Sequence, residues 1–216
     1  MKKLSTLLII LGLSLLGAFF WPLVKDEIWY QLKEFKSQKI ALKQNAPDGA
    51  IGDSVFARFL SSKPISIEPV NKDFAIVIEK IGVNAAVNRD VPVTDEKAYI
   101  ESLKTGIAHA SVSKYPSEKP GNTYLFAHAS VNFWRLGKYA TVFNLLRKLD
   151  LGDRVHLFYE GKTYIYEVVN KEIVEGWNTY PITRPVVEPI LTLQTCDPPG
   201  TTLNRLVVTA KLVAVE

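Results

Sequence analysis

Hydrophobic and polar positions divide the chain into three parts. Leu4–Val24 is a run of 21 residues without a charged side chain, set between Lys2-Lys3 and Lys25-Asp26-Glu27. As a helix it reaches about 30 Å, the thickness of a bilayer core. No small-residue cleavage pattern follows Gly17, and the run continues into Phe19, Phe20 and Trp21, which favours a retained signal-anchor over a removed leader. Trp21, Trp29 and Tyr30 fall where interfacial aromatics belong. The N-terminal lysines predict a cytoplasmic start, with the rest of a single-pass membrane protein outside the cell. Ile28, Leu32, Phe35 and Leu42 then recur at near-helical spacing, predicting a juxtamembrane helix within Lys25–Gln44. Pro47, Gly49, Gly52, Pro64 and Pro69 mark a linker, in which the pairs Val55-Phe56 and Phe59-Leu60 are candidates to dock on the folded domain. The expected division is an anchor at 1–24, a juxtamembrane helix and linker at 25–73, and a folded domain at 74–216.

From Phe74 onward the period changes to two. Phe74–Ile81 reads as a buried strand, and Thr123–Ala127 and the alternating Tyr164, Tyr166 and Val168 read as further strands, the last in a hairpin turning at Gly161. Leu191 and Leu193 alternate with Thr192 and Gln194, the pattern of a half-buried strand. Pro198, Pro199 and Gly200 end it, and another strand runs from about Leu203 to Val213. Helical signals are few. Thr94-Asp95-Glu96 opens one short helix, with Thr94 as the expected cap, and Val142, Leu145, Leu146 and Leu149 predict another. Many short strands with few short helices predict a mainly β domain, a barrel.

Composition narrows the function classes. Hydrophobic residues at 47% with 22% charged describe a folded chain, and the net charge of +4, partly from lysines flanking the anchor, gives no reason to expect nucleic acid. One cysteine excludes an internal disulfide and a thiol cluster for zinc; acids such as Asp90, Asp95 and Glu96 are scattered, so no metal or other cofactor is expected. No glycine-rich phosphate loop is present.

The lone Cys196 closes the run Thr192-Leu193-Gln194-Thr195-Cys196, and Arg205 opens the next strand nine residues later. Upstream, Tyr124-Leu125-Phe126-Ala127-His128 places a histidine at the end of an apolar strand. This arrangement resembles the sortases, bacterial cysteine transpeptidases whose nucleophile ends a T-L-x-T-C motif, over about Phe74 to the C-terminus. The resemblance implies a closed, eight-stranded sortase-type β-barrel with short helices. It assigns Cys196 as nucleophile, His128 as proton donor and acceptor, and Arg205 as a fixed charge with several donors, with Thr195 as a substrate-binding residue. It further implies cleavage of an L-P-x-T-G-like sorting signal at Thr–Gly through a thioacyl-enzyme, and transfer to an amine from a cell-wall precursor or a pilin lysine. The partners expected are therefore secreted proteins carrying that signal, an amine acceptor, and membrane lipid around the N-terminal helix. Pro-Pro-Gly after the nucleophile resembles class D or E more than the pilin-polymerising class.

A free thiol is mostly protonated at neutral pH, so acyl transfer needs a proton-transfer group in reach and donors for the oxyanion. His109 resembles the G-x-x-H position of many sortases, which the resemblance implies is not the proton donor; His156 reads as a packing or surface residue, and Arg135, Arg147 and Arg184 read as solvated. Trp134 and Trp177 are candidates for the substrate groove. A papain-like or NlpC-like hydrolase places Cys before His, the reverse of the order here. The alternatives are an anchored barrel that only binds peptides and a cysteine protease that releases its product to water.

Overall fold

A computed structural model describes residues 2–43, 64–128 and 139–216. Its centre is a closed barrel of eight strands. β3 (Phe74–Ile78), β4 (Val83–Val91), β5 (Ile107–Ala110), β6 (Gly121–Phe126), β7 (Arg154–Tyr159), β8 (Lys162–Glu175), β9 (Pro189–Asp197) and β10 (Asn204–Val215) close in the order β10-β8-β7-β3-β4-β5-β6-β9. Two further strands, β1 (Ile40–Leu42) and β2 (Ile65–Ile67), form a parallel pair outside it. The barrel is mixed: β4 with β5 and β6 with β9 run parallel, and the other neighbours run antiparallel.

Ile76, Ile78, Leu125, Leu157, Tyr166, Leu191, Leu193 and Val208 are buried in one core cluster. Each such side chain contributes about 1.5–3 kcal/mol through removal from water. In β9 the burial extends to both faces. Leu191 and Leu193 enter the core, while Thr192 on the other face is also fully buried. The half-buried pattern predicted for this strand is therefore corrected: the segment 176–188 covers its outer face.

Three local expectations shift. The helix α2 (Glu96–Thr105) is capped by Asp95, whose carboxylate accepts the Ala98 N–H at 3.0 Å, and not by Thr94. The helix expected over Val142–Leu149 is a series of tight turns with one 3-10 turn at Leu146–Lys148. Its backbone bonds run three residues back, as in Asn144 to Thr141, Leu146 to Phe143 and Lys148 to Leu145. Phe143, Leu146 and Leu149 still reach the core; a run this short buries its apolar residues without completing an α-helical nucleus. The segment 176–188 also holds a short helix, α3 (Tyr180–Thr183).

The helix α1 (Lys2–Phe35) contains the apolar run and part of the juxtamembrane segment. Thr6–Trp21 and Val24–Phe35 are bent by 64° at a break where the sequence has a proline, which lacks the N–H that the helical ladder needs. Among the described residues no single helix is long and apolar enough to cross a membrane; the bent pair together meets the length and composition of a span.

The juxtamembrane half does not merely prolong the anchor, as its sequence suggests. It docks on the barrel rim where β3 ends and β4 begins. Asn144 donates to Asp26 at 3.1 Å, and Lys148 pairs with Glu27 at 2.6 Å. Tyr30 and Lys33 are buried, with the Lys33 ammonium donating to the Lys80 carbonyl. Trp29 lies on Gly82: a Cβ there, at φ 67°, would stand 2.6 Å from the indole. After Phe35 the chain turns and forms β1, so the helical spacing of Leu42 was a strand contact. Val55-Phe56 and Phe59-Leu60 lie outside the described residues.

Candidate active site

The topology brings Cys196, His128 and Arg205 together from three adjacent strands. Cys196 on β9 is the direct cross-strand partner of Arg205 on β10. Directly opposed residues of an antiparallel pair project from the same face with Cβ atoms about 4.5–5.5 Å apart. On the other side of β9, β6 runs parallel with Phe126 opposite Gln194. Two residues on, the same register sets His128 beside Cys196. The pairing is sustained past the end of β6 by two bonds: the Ala127 N–H donates to the Gln194 carbonyl at 3.1 Å, and the Thr195 hydroxyl donates to the Ala127 carbonyl at 3.0 Å.

Because successive strand residues alternate, Thr195 faces the core side while Cys196 faces outward with Gln194 and Thr192. Thr195 is 4% exposed. Its hydroxyl donates to the backbone that carries His128.

The floor of the outer face is Tyr124 and Phe126 on β6, His128 just past its end, and Gln194 and Cys196 on β9, with Tyr124 donating to the Gln194 side chain. One wall is α2, tied to β4 by Asn88, which donates to the Ser102 carbonyl at 2.6 Å. The other wall is 176–188, which Asn122 holds through the Pro181 carbonyl at 3.0 Å. Arg184 belongs to this wall. Read as solvated, it instead is only 15% exposed in its side chain, bonding Thr209 at 2.6 Å and Thr192 at 3.2 Å and pairing with Glu172 at 3.6 Å. No local signal marks it, because Thr192 and Thr209 become neighbours only through the pairing of β9 with β10. Trp177 is 79% exposed, and Trp134 and Arg135 lie outside the described residues.

Arg205 is fixed by backbone. Its guanidinium donates to the Thr202 and Asn204 carbonyls, each at 3.1 Å. Gly176 makes this possible: a Cβ there would lie 2.5 Å from the Thr202 oxygen, 2.9 Å from the Leu203 oxygen and 3.4 Å from the guanidinium. Backbone must move to admit it. Gly176→Ala is therefore expected to cost about 1–3 kcal/mol of stability and to lower the turnover of a peptide–amine assay about tenfold or more, through displacement of Arg205. A melting curve with steady-state rates checks both; unchanged turnover would mean that Arg205 tolerates the shift.

Burial holds His128 below the usual histidine range, so its imidazole is neutral at pH 7, and its buried Nε2 has no hydrogen-bond partner among the described residues. His109 and His156 are also held low, chiefly by burial, against the raising influence of the Lys114 carbonyl and Asp90 on the first and of Glu79 on the second. All three bind a proton less tightly folded than unfolded. Their contribution to stability is complete above the unfolded value of about 6.5 and is lost as pH falls below it. Melting temperature is expected to drop by a few degrees between pH 7.5 and 5.5, at about 2–4 °C per kcal/mol for a chain of this size. A rise over that interval would contradict it.

His109 also forms a Ser–His–Asp line, with Ser113 Oγ 3.0 Å from Nε2 and Asp90 Oδ1 3.7 Å from Nδ1. It is not a second catalytic centre. The Ser113 hydroxyl donates to the Ala110 carbonyl at 2.8 Å and accepts the Tyr124 N–H at 3.2 Å, and His109 is fully buried, stacked on Tyr115. No group of three His, Cys, Asp or Glu able to hold a metal occurs among the described residues.

Comparison with known proteins gives the family and the fold. The family model described as the sortase domain matches residues 76–213. Sortase D of Bacillus subtilis (strain 168) is 28% identical over 199 residues, covering 92% of this chain and 90% of the relative. The crystal structure of sortase C-1 from Actinomyces oris superposes with a TM-score of 0.55 at 28% identity, over 67% of this chain and 76% of that one. Sortase C-3 from Streptococcus pneumoniae does so with 0.56 at 20% identity, over 92% and 85%, a likeness of fold.

Proposed function

This chain belongs to the sortase family, and from that premise we propose that it is a membrane-anchored transpeptidase that cleaves an L-P-x-T-G-like sorting signal between Thr and Gly and passes the acyl group to an amine. Sortases are cysteine transpeptidases, so membership carries the enzyme class with it. The observation that supports the finer reading is the placement of Cys196 between His128 and Arg205 on one face of three paired strands.

In this mechanism a proton moves from the Cys196 thiol to His128, and the thiolate attacks the Thr carbonyl carbon. The carbonyl electron pair moves onto oxygen, where the Arg205 donors face it. Guanidinium suits this role because it stays charged and presents several N–H groups from one rigid plane. When the C–N bond breaks, His128 returns its proton to the departing glycine amine, leaving a thioester on Cys196. An incoming amine attacks that thioester, His128 accepts its proton, and the proton then returns to sulfur. Burial serves this cycle by keeping the imidazole neutral and ready to accept. Thr195 acts here as a positioning residue for the strand end bearing His128.

Anchoring is supported by α1, whose large apolar side chains from Leu4 to Trp21 are exposed along the helix among the described residues. The reach of Thr6–Trp21 is about 24 Å, short of the roughly 30 Å bilayer core, and the Val24–Phe35 half beyond the bend is fixed to the barrel rim. In the proposed topology the N-terminus is cytoplasmic and the barrel lies outside. The sortase D relative and Pro198-Pro199-Gly200 support a class D-like assignment.

The test uses the full chain in detergent micelles with a library of L-P-x-T-G-like peptides and an amine acceptor, read by intact-mass spectrometry. A thioacyl adduct on Cys196 that the amine resolves is the expected result. Product formed only with water would make the enzyme a protease. A reactive thiol with no adduct on any peptide would leave a binding barrel.

A further inference from the structure

We propose that Tyr99 is a positioning residue that sets the His128 imidazole beside Cys196 through ring contacts and not through its hydroxyl; this rests on the reading of His128 as the proton-transfer group. A general base normally has a second group that fixes its ring by a hydrogen bond, as carboxylates do for histidines in hydrolytic triads. His128 shows no such carboxylate among the described residues. Its buried Nε2 is unpartnered among them, and burial holds its proton affinity down. It also sits past the end of β6, where the bonds at Ala127 hold the backbone and leave the ring orientation to packing.

Aromatic packing supplies the missing constraint. The Tyr99 ring lies parallel on Phe126, 7° from coplanar with centroids 5.1 Å apart. It meets His128 nearly at right angles, at 82° and 5.7 Å. Edge-to-face geometry at this separation is a favoured arrangement that carries directional preference beyond burial. Phe126 and His128 are two apart on the same strand face, so one tyrosine ring spans both and ties the imidazole to a rigid floor. The ring is itself held by α2, where Tyr99 and the buried Leu103 stand four residues apart on one helix face, with the Asp95 cap one turn before Tyr99.

The phenol is close enough to the site to feel both Cys196 and Arg205. Burial first, and then the cysteine, push it up to about 12, so it stays neutral and adds no negative charge beside the thiolate. A neutral ring near a nascent thiolate can orient without competing for the proton. This separates the ring from the hydroxyl experimentally.

The experiment measures kcat and KM of transpeptidation for full-length protein carrying Tyr99→Phe or Tyr99→Leu, with His128→Ala as the reference. The expected result is that Tyr99→Phe stays within about twofold of wild type. Tyr99→Leu should lose tenfold or more in kcat, with KM within about twofold. A proton NMR spectrum should show the His128 ring resonances displaced in Tyr99→Leu and restored in Tyr99→Phe. If Tyr99→Leu does not fold, Tyr99→Met keeps side-chain length without the ring and takes its place. Wild-type kcat in the ringless variant, with His128→Ala inactive, would overturn the positioning role alone. Equal loss in Tyr99→Phe and Tyr99→Leu would overturn it in favour of the hydroxyl. Full activity in His128→Ala would overturn the acid–base reading and this proposal with it.

Discussion

Cys196→Ala is expected to remove thioacyl formation and transpeptidation entirely, a loss of at least about 10⁴-fold in kcat/KM. Cys196 is the sole cysteine in the chain, and it occupies the middle of the three-strand site. No neighbouring thiol can substitute. The smaller side chain removes little packing, because Cys196 is half-buried on the outer face and not part of the core cluster. The melting temperature should therefore stay within a few degrees of wild type while the mass adduct disappears. An acyl adduct that survives in Cys196→Ala would place the nucleophile elsewhere and dismantle the proposed site.

His128→Ala is expected to reduce kcat/KM by about 10²–10⁴-fold, the usual range for removing a positioned acid–base group. The loss falls on two steps: generation of the thiolate and protonation of the departing amine. An amine expelled without a proton is a poor leaving group, so a substrate whose leaving group needs no proton should be hurt far less. A thioester or activated ester peptide supplies that comparison. The predicted signature is a severe loss on the amide and a mild one on the ester. Equal losses on both would mean that His128 acts on nucleophile formation alone, and no loss on either would exclude it. Combining His128→Ala with Cys196→Ala should be no worse than Cys196→Ala alone, because the two residues act as one unit.

The docked juxtamembrane helix bears on how these variants are prepared. Asp26, Glu27, Tyr30 and Lys33 hold α1 on the rim formed by Lys80, Gly82, Asn144 and Lys148. A truncation that begins after this helix strips the rim of contacts that the full chain has, at the end of the barrel where β6 and β9 also finish.

Much of this protein was legible in the linear chain. Period-two stretches set the strands of a mainly β domain, because a residue's face in a strand depends only on its immediate neighbours. Cys196, Arg205 and His128 were each recognisable from short motifs: a thiol at a strand end, an arginine opening the next strand, a histidine closing an apolar strand. What the sequence could not supply was the partner of each face. Thr192 read as solvated because alternation reports one side of a strand, whereas its cover comes from 176–188 on a separate loop. The bond from the Thr195 hydroxyl to the Ala127 carbonyl was likewise out of reach, because it crosses from β9 to the chain after β6. Arg184, Gly176 and Tyr99 have no local signal, since the groups they serve lie 8, 26 and 29 residues away from them in the chain, at Thr192, Thr202 and His128. The helix expected at 142–149 failed because its apolar spacing fits both a helix and a string of tight turns, and only the space at the barrel rim chooses between them. Local periodicity thus determined the fold class, and motif order nominated the groups proposed to react. Tertiary packing alone decided what buries, bends and orients them, because those contacts join residues that no short window of sequence contains.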